Sequence, residues 1–203
     1  LQVVDGHIFY MSFNWDTGVP VPGVGLVQDE DIVRYDANTN TWSMFFDGST
    51  VGLGAGSEDV DAFHILADGS VIISTTGVAS VPGIPTQQDE DLLRCVGTFG
   101  PTTTCTWSVY FDGTDVGLGT ADSEDVDGVV VGANGDLYLS TIGNFAVTGL
   151  TGGRDDVFVC KAPVTAPGAA GDVNSACSGG FTLYFDGSAR GITDNIDAFD
   201  VPQ

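Results

Sequence analysis

Residues 58–75 read EDVDAFHILADGSVIIST, and this stretch decides the fold. Two apolar runs flank Asp68-Gly69, a dipeptide that favours a tight β-hairpin with positive φ at both central residues. No window of the chain sustains the 3.6-residue apolar period of a helix. Similar runs follow, each bounded by Gly, Asp or Asn. The predicted strands are A over 59–66, B over 71–75, C over 91–96 and D over 106–111.

The same unit recurs along the chain. An aromatic pair followed by Asp-Gly stands at 45–48, 110–113 and 184–187. An acidic motif that opens strand A stands at 58–61, 124–127 and 194–197, and one that opens strand C stands at 29–31, 89–91 and 154–156. A second Asn-Gly hairpin signal occurs at 134–135. The period of roughly 60 to 75 residues accommodates four strands, which predicts an all-β, β-propeller-like array of four-stranded antiparallel blades. A pair of β-sandwich domains is the alternative.

The repeats divide a single domain of 203 residues into about three blades. We predict repeat 1 at about 1–57, repeat 2 at about 58–123, repeat 3 at about 124–193, and a lone closing strand A at 194–203. Propellers usually close with about 4 to 8 blades, so three are too few for a ring. We therefore expect closure by strand exchange onto residues 7–13 of a second chain, as a dimer or a filament, or closure within a longer parent protein. Intramolecular closure of three blades is the remaining alternative.

Charge excludes several classes of partner. The chain has 28 acidic residues against 5 Lys and Arg, a formal net charge of −23 that repels nucleic acid and anionic membrane surfaces. No run of about 20 apolar residues is present, so no membrane insertion is expected. A metal ion, a polycation or the sodium of a salty medium is the expected counterion.

The four cysteines allow three disulfide connectivities. Each sequential pair flanks the loop between strands C and D of one repeat, so the repeat symmetry predicts bonds Cys95–Cys105 and Cys160–Cys177. The spacings lack the Cys-x-x-Cys form of zinc and redox sites. An oxidising compartment follows, and we expect an extracellular or cell-surface protein.

The acidic motifs should meet on one face of the array. Strand direction alternates within a blade, so the starts of A and C and the end of D share one edge. Ca²⁺ prefers about six to eight oxygen ligands, and crowded carboxylates without a cation would repel each other. The alternative is that these side chains cap turns or form a solvated, halophile-type surface. The predicted calcium ligands are Asp29, Glu30, Asp31, Glu58, Asp59, Asp61, Asp89, Glu90, Asp91, Glu124, Asp125, Asp127, Asp155, Asp156 and Asp197.

No catalytic residues are predicted. Gly-x-Ser-x-Gly is absent, and no Ser/His/Asp or Cys/His set remains once the cysteines are paired. Because the acidic motifs are spread over the repeats rather than concentrated at one site, we expect a non-enzymatic, calcium-binding structural or adhesive surface module with a cell-surface or matrix partner. The alternatives are a calcium-dependent propeller hydrolase of the phosphatase or lactonase type, and a carbohydrate-binding propeller.

Several motifs carry a resemblance to a known class of repeat. They are Trp-Ser-x-x-Phe-Asp-Gly at 42–48 and 107–113, Ser-Glu-Asp-Val-Asp at 57–61 and 123–127, and Ser-Thr-Thr-Gly at 74–77 followed by Val-Pro-Gly at 81–83. The chain resembles, over nearly its whole length, the β-propeller-type repeats of large secreted or surface-anchored bacterial proteins. The resemblance implies an extracellular surface setting. Repeat 3 departs from the pattern with Arg154 in the place of Asp29 and Asp89, and with Asn195 in the place of Asp59 and Asp125, so its metal site should be the weakest.

Overall fold

Short strands joined by turns account for the regular structure of the chain. The computed structural model describes residues 1–15, 17–54, 56–121 and 123–201. Within these residues, helical geometry is confined to three single 3-10 turns, which are η1 (Ser49–Val51), η2 (Thr114–Val116) and η3 (Ser188–Arg190). No helix in the described part of the chain is long and apolar enough to span a membrane.

The main strands form three separate four-stranded antiparallel sheets, with smaller hairpins inserted in the connections. Sheet 1 contains β1 (Gln2–Val4), β2 (Ile8–Met11), β5 (Ile32–Asp36) and β6 (Thr41–Phe46), and its inserted hairpin is β3 (Val19–Val21) with β4 (Gly25–Val27). Sheet 2 contains β7 (Val60–Ile65), β8 (Val71–Thr75), β9 (Leu92–Thr98) and β10 (Thr104–Phe111). Sheet 3 contains β11 (Val126–Val131), β12 (Leu137–Thr141), β15 (Asp156–Cys160) and β18 (Phe181–Asp186), and its hairpins are β13 (Phe145–Val147) with β14 (Leu150–Gly152) and β16 (Pro163–Pro167) with β17 (Val173–Cys177).

The predicted all-β class and the four-stranded antiparallel sheets are confirmed. In repeat 2, β7 to β10 begin and end within two residues of the predicted strands A to D. The inserted hairpins were not predicted. The Pro and Gly residues of stretches such as 19–27 are typical of irregular loops and conceal the pairing there.

The turn geometry predicted at Asp68-Gly69 and Asn134-Gly135 is wrong. Only the glycines have positive φ, at 84° each. The backbone N–H of Ser70 donates to Asp68 Oδ1 at 3.0 Å, and the equivalent bond in repeat 3 runs to Asn134. These side-chain bonds to the residue two positions later favour a type I turn followed by a left-handed glycine. Positive φ at two successive turn residues occurs instead at Asp5-Gly6, with values of 54° and 69°.

The Asp-Gly motif after strand D serves a close approach of two chain segments. Gly48 and Gly113 have ordinary negative φ values of −67° and −70°. A Cβ at either position would overlap the carbonyl oxygen of Glu30 or Glu90. Glycine therefore lets the end of strand D touch the acidic motif that opens strand C of the same sheet.

Neighbouring sheets share apolar cores. One core joins Phe46 and Leu53 of repeat 1 to strands of sheet 2, and another joins Leu92 and Phe111 of sheet 2 to sheet 3. Trp107 is 6% exposed and donates its indole N–H to the carbonyl of Val51 at 3.1 Å, so this aromatic side chain packs between the two sheets. Sheet 2 is consequently buried on both faces.

The first strands of the sheets lie beside one another. β7 packs against β11, and β1 packs against β7. The Gln2 side chain bridges β1 and β7, since its Oε1 accepts from the N–H of Ile65 at 2.7 Å and its Nε2 donates to the carbonyl of Ile65 at 3.3 Å. This arrangement places the acidic starts of β7 and β11 close together.

Both disulfides join the partners that the repeat alignment predicts, Cys95 with Cys105 and Cys160 with Cys177. They close loops with sequence separations of 10 and 17 residues. On the chain-entropy account, each contributes about 2–3 kcal/mol by restricting the unfolded chain. Each bond fixes the loop that follows strand C of its repeat.

The predicted closing strand at 194–203 is not formed. Residues 194–201 pair with no sheet, and residues 202 and 203 lie outside the described part of the chain. The segment packs on its own chain, with the Phe199 ring beside Gly128, and β1 already pairs with β2 along the edge that strand exchange would use. Exchange of this segment between chains stays a prediction.

Candidate carboxylate site

Backbone contacts bring the three acidic motifs of neighbouring repeats together. The N–H of Val60, where strand A of repeat 2 begins, donates to the carbonyl of Asp29 in repeat 1 at 3.0 Å. The same bond joins Val126 to Asp89 at 3.3 Å. Since the Asp-Gly motif also lies against strand C, the starts of A and C and the end of D meet at one edge of each sheet.

One carboxylate in each repeat caps this junction. Asp91 is 6% exposed, and its two oxygens accept from the N–H groups of Gln88 and Gly113, both at 2.9 Å. Asp31 and Asp156 make the equivalent pairs of bonds in repeats 1 and 3. Burial raises the pKa of Asp91 to about 7, although the two donors act in the opposite direction. All three carboxylates, which the sequence predicts as calcium ligands, act as turn caps.

The glutamates that open strand A connect loops. Glu58 accepts from the N–H of Gly54 at 3.0 Å and from the N–H of Ser80 at 2.9 Å. Glu124 accepts from Thr120 and Ala121 through Oε2, and from the N–H of Ala146 at 2.9 Å through Oε1. Each glutamate therefore ties the loop before strand A to the connection between strands B and C.

The other acidic side chains divide by sheet. Asp29 and Glu30 form a pair in repeat 1, where burial, followed by the Asp29 carboxylate, raises the pKa of Glu30 to about 7. Asp155 lies against the Asp-Gly motif of repeat 3, and Asp59 accepts from the Thr76 hydroxyl at 3.4 Å. The rest lie near enough to one another to interact electrostatically, around the starts of β7, β11 and β9. This central carboxylate cluster comprises Asp61, Asp89, Glu90, Asp125, Asp127 and Asp197.

Asp125 is the least compensated member of the cluster. It is 4% exposed, and its Oδ1 has no hydrogen-bond partner among the described residues. The pKa of Asp125 is raised to about 8, first by burial, then by the negative charges of Asp61 and Asp89, with smaller effects from Asp127 and Glu90. A carboxyl in this position favours a neutral state or a nearby positive charge.

Asp127 is buried but partly compensated. It is 1% exposed, and it accepts from the Ser140 hydroxyl at 2.7 Å and from the Asn195 amide at 2.6 Å. Its pKa is raised to about 6, by burial first, while these two donors limit the rise. Ser140 was missed by the sequence analysis, and Asn195 was interpreted only as a weakened ligand; its role as a donor depends on how the terminal segment packs.

Asp61 completes the inner part of the cluster. It is half-buried, and burial together with the charges of Asp127, Asp197 and Asp59 raises its pKa to about 7. The Oδ1 of Asn195 is also buried without a hydrogen-bond partner in the described chain. Two unpaired oxygens thus belong to the interior of one negatively charged region.

A cavity of about 470 Å³ reaches the cluster from solvent. Its lining includes Gln88, Asp89, Glu90, Thr114 and Gly119. Within the described residues, however, no three His, Cys, Asp or Glu side chains converge as a group able to hold a metal ion. The cluster therefore offers charge and access, but its carboxylates are not gathered into a coordination sphere.

Comparison with protein-family models, with curated proteins and with solved structures finds no match to this chain.

Proposed function

We propose that this chain is an extracellular structural or adhesive module, built as a propeller-like array of blades, whose central carboxylates bind Ca²⁺. The observation that carries the proposal is Asp125, a buried carboxylate with an oxygen that no described residue satisfies. An unpaired buried charge costs several kcal/mol unless a proton or a cation neutralises it.

The propeller-like arrangement is supported by the relation between the sheets. Their first strands lie side by side, and sheet 2 shares a core with a neighbour on each face. Successive four-stranded sheets packed face to face around their first strands are the architecture of propeller blades. The resemblance of the repeats to those of surface-anchored bacterial proteins agrees with this arrangement.

Secretion is supported by the disulfides and by charge. Two disulfides persist in oxidising compartments and are rare in the cytosol. The net charge of −23 keeps a protein soluble and attracts cations. A rigid, anionic module of this kind suits a surface protein that contacts a cell-surface or matrix partner.

Calcium fits the donor set better than a transition metal. The cluster supplies only hard oxygens, from carboxylates and from the Asn195 amide, and Ca²⁺ tolerates irregular oxygen coordination at about 2.3–2.6 Å. Because these side chains do not converge, we expect calcium to draw them inward by side-chain rotation. The cavity beside Asp89 and Glu90 provides the path of entry.

Calorimetric titration with CaCl₂ at a pH near 8 tests the proposal. We expect the wild-type chain to bind calcium and Asp125→Asn to lose at least about tenfold in affinity. Asp5→Asn is the matched control, because Asp5 is exposed in a turn at φ 54°, a conformation that Asn adopts readily. Equal binding by wild type and Asp125→Asn, or no binding by either, would refute the proposed site.

A further inference from the structure

The same interface between sheets occurs twice within the chain. The face of a sheet that contacts the next repeat is called its outgoing face. It comprises the first aromatic of the Asp-Gly motif, the 3-10 turn that follows and the apolar residue two positions beyond that turn. The incoming face of the next sheet comprises the first aromatic of strand D, the connection between B and C, and the loop between C and D.

Hydrogen bonds fix both copies of this interface. Between sheets 1 and 2, the Thr103 hydroxyl accepts from the N–H of Asp47 at 2.9 Å. Between sheets 2 and 3, the Ser175 hydroxyl accepts from the N–H of Asp112 at 2.8 Å, and the N–H of Ser175 donates to Asp115 at 2.7 Å. In each case the disulfide-braced region after strand C reaches the Asp-Gly motif of the preceding sheet.

Apolar side chains on the outgoing faces of sheets 1 and 2 are covered by these contacts. Leu53 is 2% exposed and Leu118 is 1% exposed. The motif aromatics Phe45 and Tyr110 pack against the cores of the two interfaces. Each outgoing face therefore contributes to a buried core.

The outgoing face of sheet 3 is uncovered. Ile192, the counterpart of Leu53 and Leu118, is 36% exposed, and Tyr184, the counterpart of Phe45 and Tyr110, is 51% exposed. One residue departs from the pattern. Arg190 stands where the other turns have valine, and its guanidinium lies 4.7 Å from the Phe185 ring centroid.

The incoming face of sheet 1 is partly uncovered. Trp42, the counterpart of the buried Trp107, is only half-buried. Pro22 in the β3–β4 hairpin and its counterpart Pro82 are both exposed, and Pro82 lies beside Gly52 of the preceding repeat. The chain thus presents one half of the internal interface at sheet 1 and the other half at sheet 3.

We propose that a second copy of this chain docks head to tail, with the incoming face of its sheet 1, around Trp42 and Pro22, on the outgoing face of sheet 3, around Tyr184 and Ile192. The continuity of this contact with the two internal interfaces identifies the partner. Because the contact is heterologous, it repeats from copy to copy and builds a ring or a filament. It depends on packing between sheets and is independent of calcium.

Sedimentation analysis of the 203-residue chain over a range of concentrations tests the proposal, at a salt concentration high enough to screen the net charge of −23. We expect species larger than a dimer for wild type. Ile192→Asp should weaken association by about tenfold or more, and Arg190→Val, which restores the residue of the internal interfaces, should strengthen it. Val164→Asp is the control, since Val164 is 51% exposed on β16, away from both faces.

Mixing two blocked variants distinguishes head-to-tail contact from a symmetric dimer. Ile192→Asp retains an intact incoming face, and Trp42→Ala retains an intact outgoing face, so each alone should be monomeric and their mixture should stop at a heterodimer. Circular dichroism checks that both variants are folded. The proposal is overturned if wild type and Arg190→Val both stay monomeric, or if either blocked variant still forms a homodimer.

Discussion

Asp91 and Asp125 come from acidic motifs of the same kind, and both are almost fully buried, yet their surroundings are opposite. Asp91 accepts two backbone N–H groups at 2.9 Å. Asp125 has an oxygen that accepts from no donor in the described part of the chain, and it faces other carboxylates. The comparison shows that the density of acidic residues does not separate capped carboxylates from unsatisfied ones. The number of hydrogen-bond donors around each carboxylate does.

The largest expected loss of stability follows from removing the Asp91 cap. Asp91→Ala removes the acceptor of two backbone N–H groups, of which that of Gly113 is buried, and we expect it to lower the free energy of unfolding by about 1–3 kcal/mol. Urea denaturation should show the same loss with calcium and with chelator. Asp194→Ala is the control, because the Asp194 side chain is 93% exposed, and it should change stability by less than about 0.5 kcal/mol. A loss for Asp91→Ala that appears only with calcium would make Asp91 a ligand instead of a cap.

At Asp125, by contrast, substitution is expected to increase stability. Asp125→Asn keeps the shape of the side chain and removes its charge, so at a pH near 8 in chelator it should raise the free energy of unfolding by about 1–2 kcal/mol. The same variant should gain nothing from added calcium. Thermal or urea denaturation of the two proteins in parallel measures both effects. Destabilisation in chelator would mean that the charged form of Asp125 is satisfied in the fold.

A smaller effect is expected where repeat 3 departs from the pattern. Asn195→Asp removes the donor to Asp127 and adds a like charge, and should cost about 1 kcal/mol in chelator, with part of the loss recovered in calcium. Asn134→Asp is the matched control, because it too replaces an amide donor to a carboxylate, that of Asp136, but in an exposed turn where water screens the repulsion. Equal stability of the two variants would show that Asn195 contributes nothing to the cluster.

The contrast between Asp91 and Asp125 also shows how much of the structure the sequence predicts. Periodicity and turn signals locate β7 to β10 closely, and repeat symmetry selects the disulfide partners, because both are local or repeated properties. The partners of each carboxylate are not local. Gly113 lies 22 residues from Asp91, and Asn195 lies 68 residues from Asp127. Which acid is capped and which is unpaired follows only from the packing of the sheets.

The predicted closing strand does not form, for a related physical reason. Residues 194–201 carry the acidic motif of strand A, but a strand forms only where a sheet edge is available for pairing. Within this chain β1 takes the edge of β2, and the terminal segment packs through Phe199 and Asn195 instead. The local pattern was recognised, whereas its pairing depended on the rest of the fold.

The pH dependence of stability follows from the raised pKa values in the cluster. Burial raises the pKa of Asp61 to about 7, of Asp125 to about 8 and of Asp127 to about 6. A carboxyl whose pKa is higher in the folded than in the unfolded state stabilises the fold while it is protonated, and this contribution is lost as pH rises through the folded pKa. In chelator, stability should therefore fall between about pH 5 and pH 8.

Few titratable groups make stability rise with pH between about pH 5 and pH 8. Hydrogen bonds lower the pKa of Asp68 and Asp186, so their contributions are lost only when pH falls through the acid range below about 4. Burial lowers the pKa of His64, so the contribution of this neutral side chain to the stability of the fold is lost as pH falls below about 6.5. His64 and the Leu1 amine, whose pKa burial also lowers, thus oppose several carboxyls, and the net trend between about pH 5 and pH 8 stays downward.

The most direct test is the free energy of unfolding at about pH 5.5 and about pH 8, each in chelator and in excess calcium. In chelator, the protein should be less stable at the higher pH. Calcium at about a hundredfold excess over its dissociation constant should add about 2.7 kcal/mol at the higher pH and much less at the lower, where protons already neutralise the cluster. Stability that rises with pH in chelator, together with no response to calcium, would contradict the account of Asp125 as the centre of a cation site.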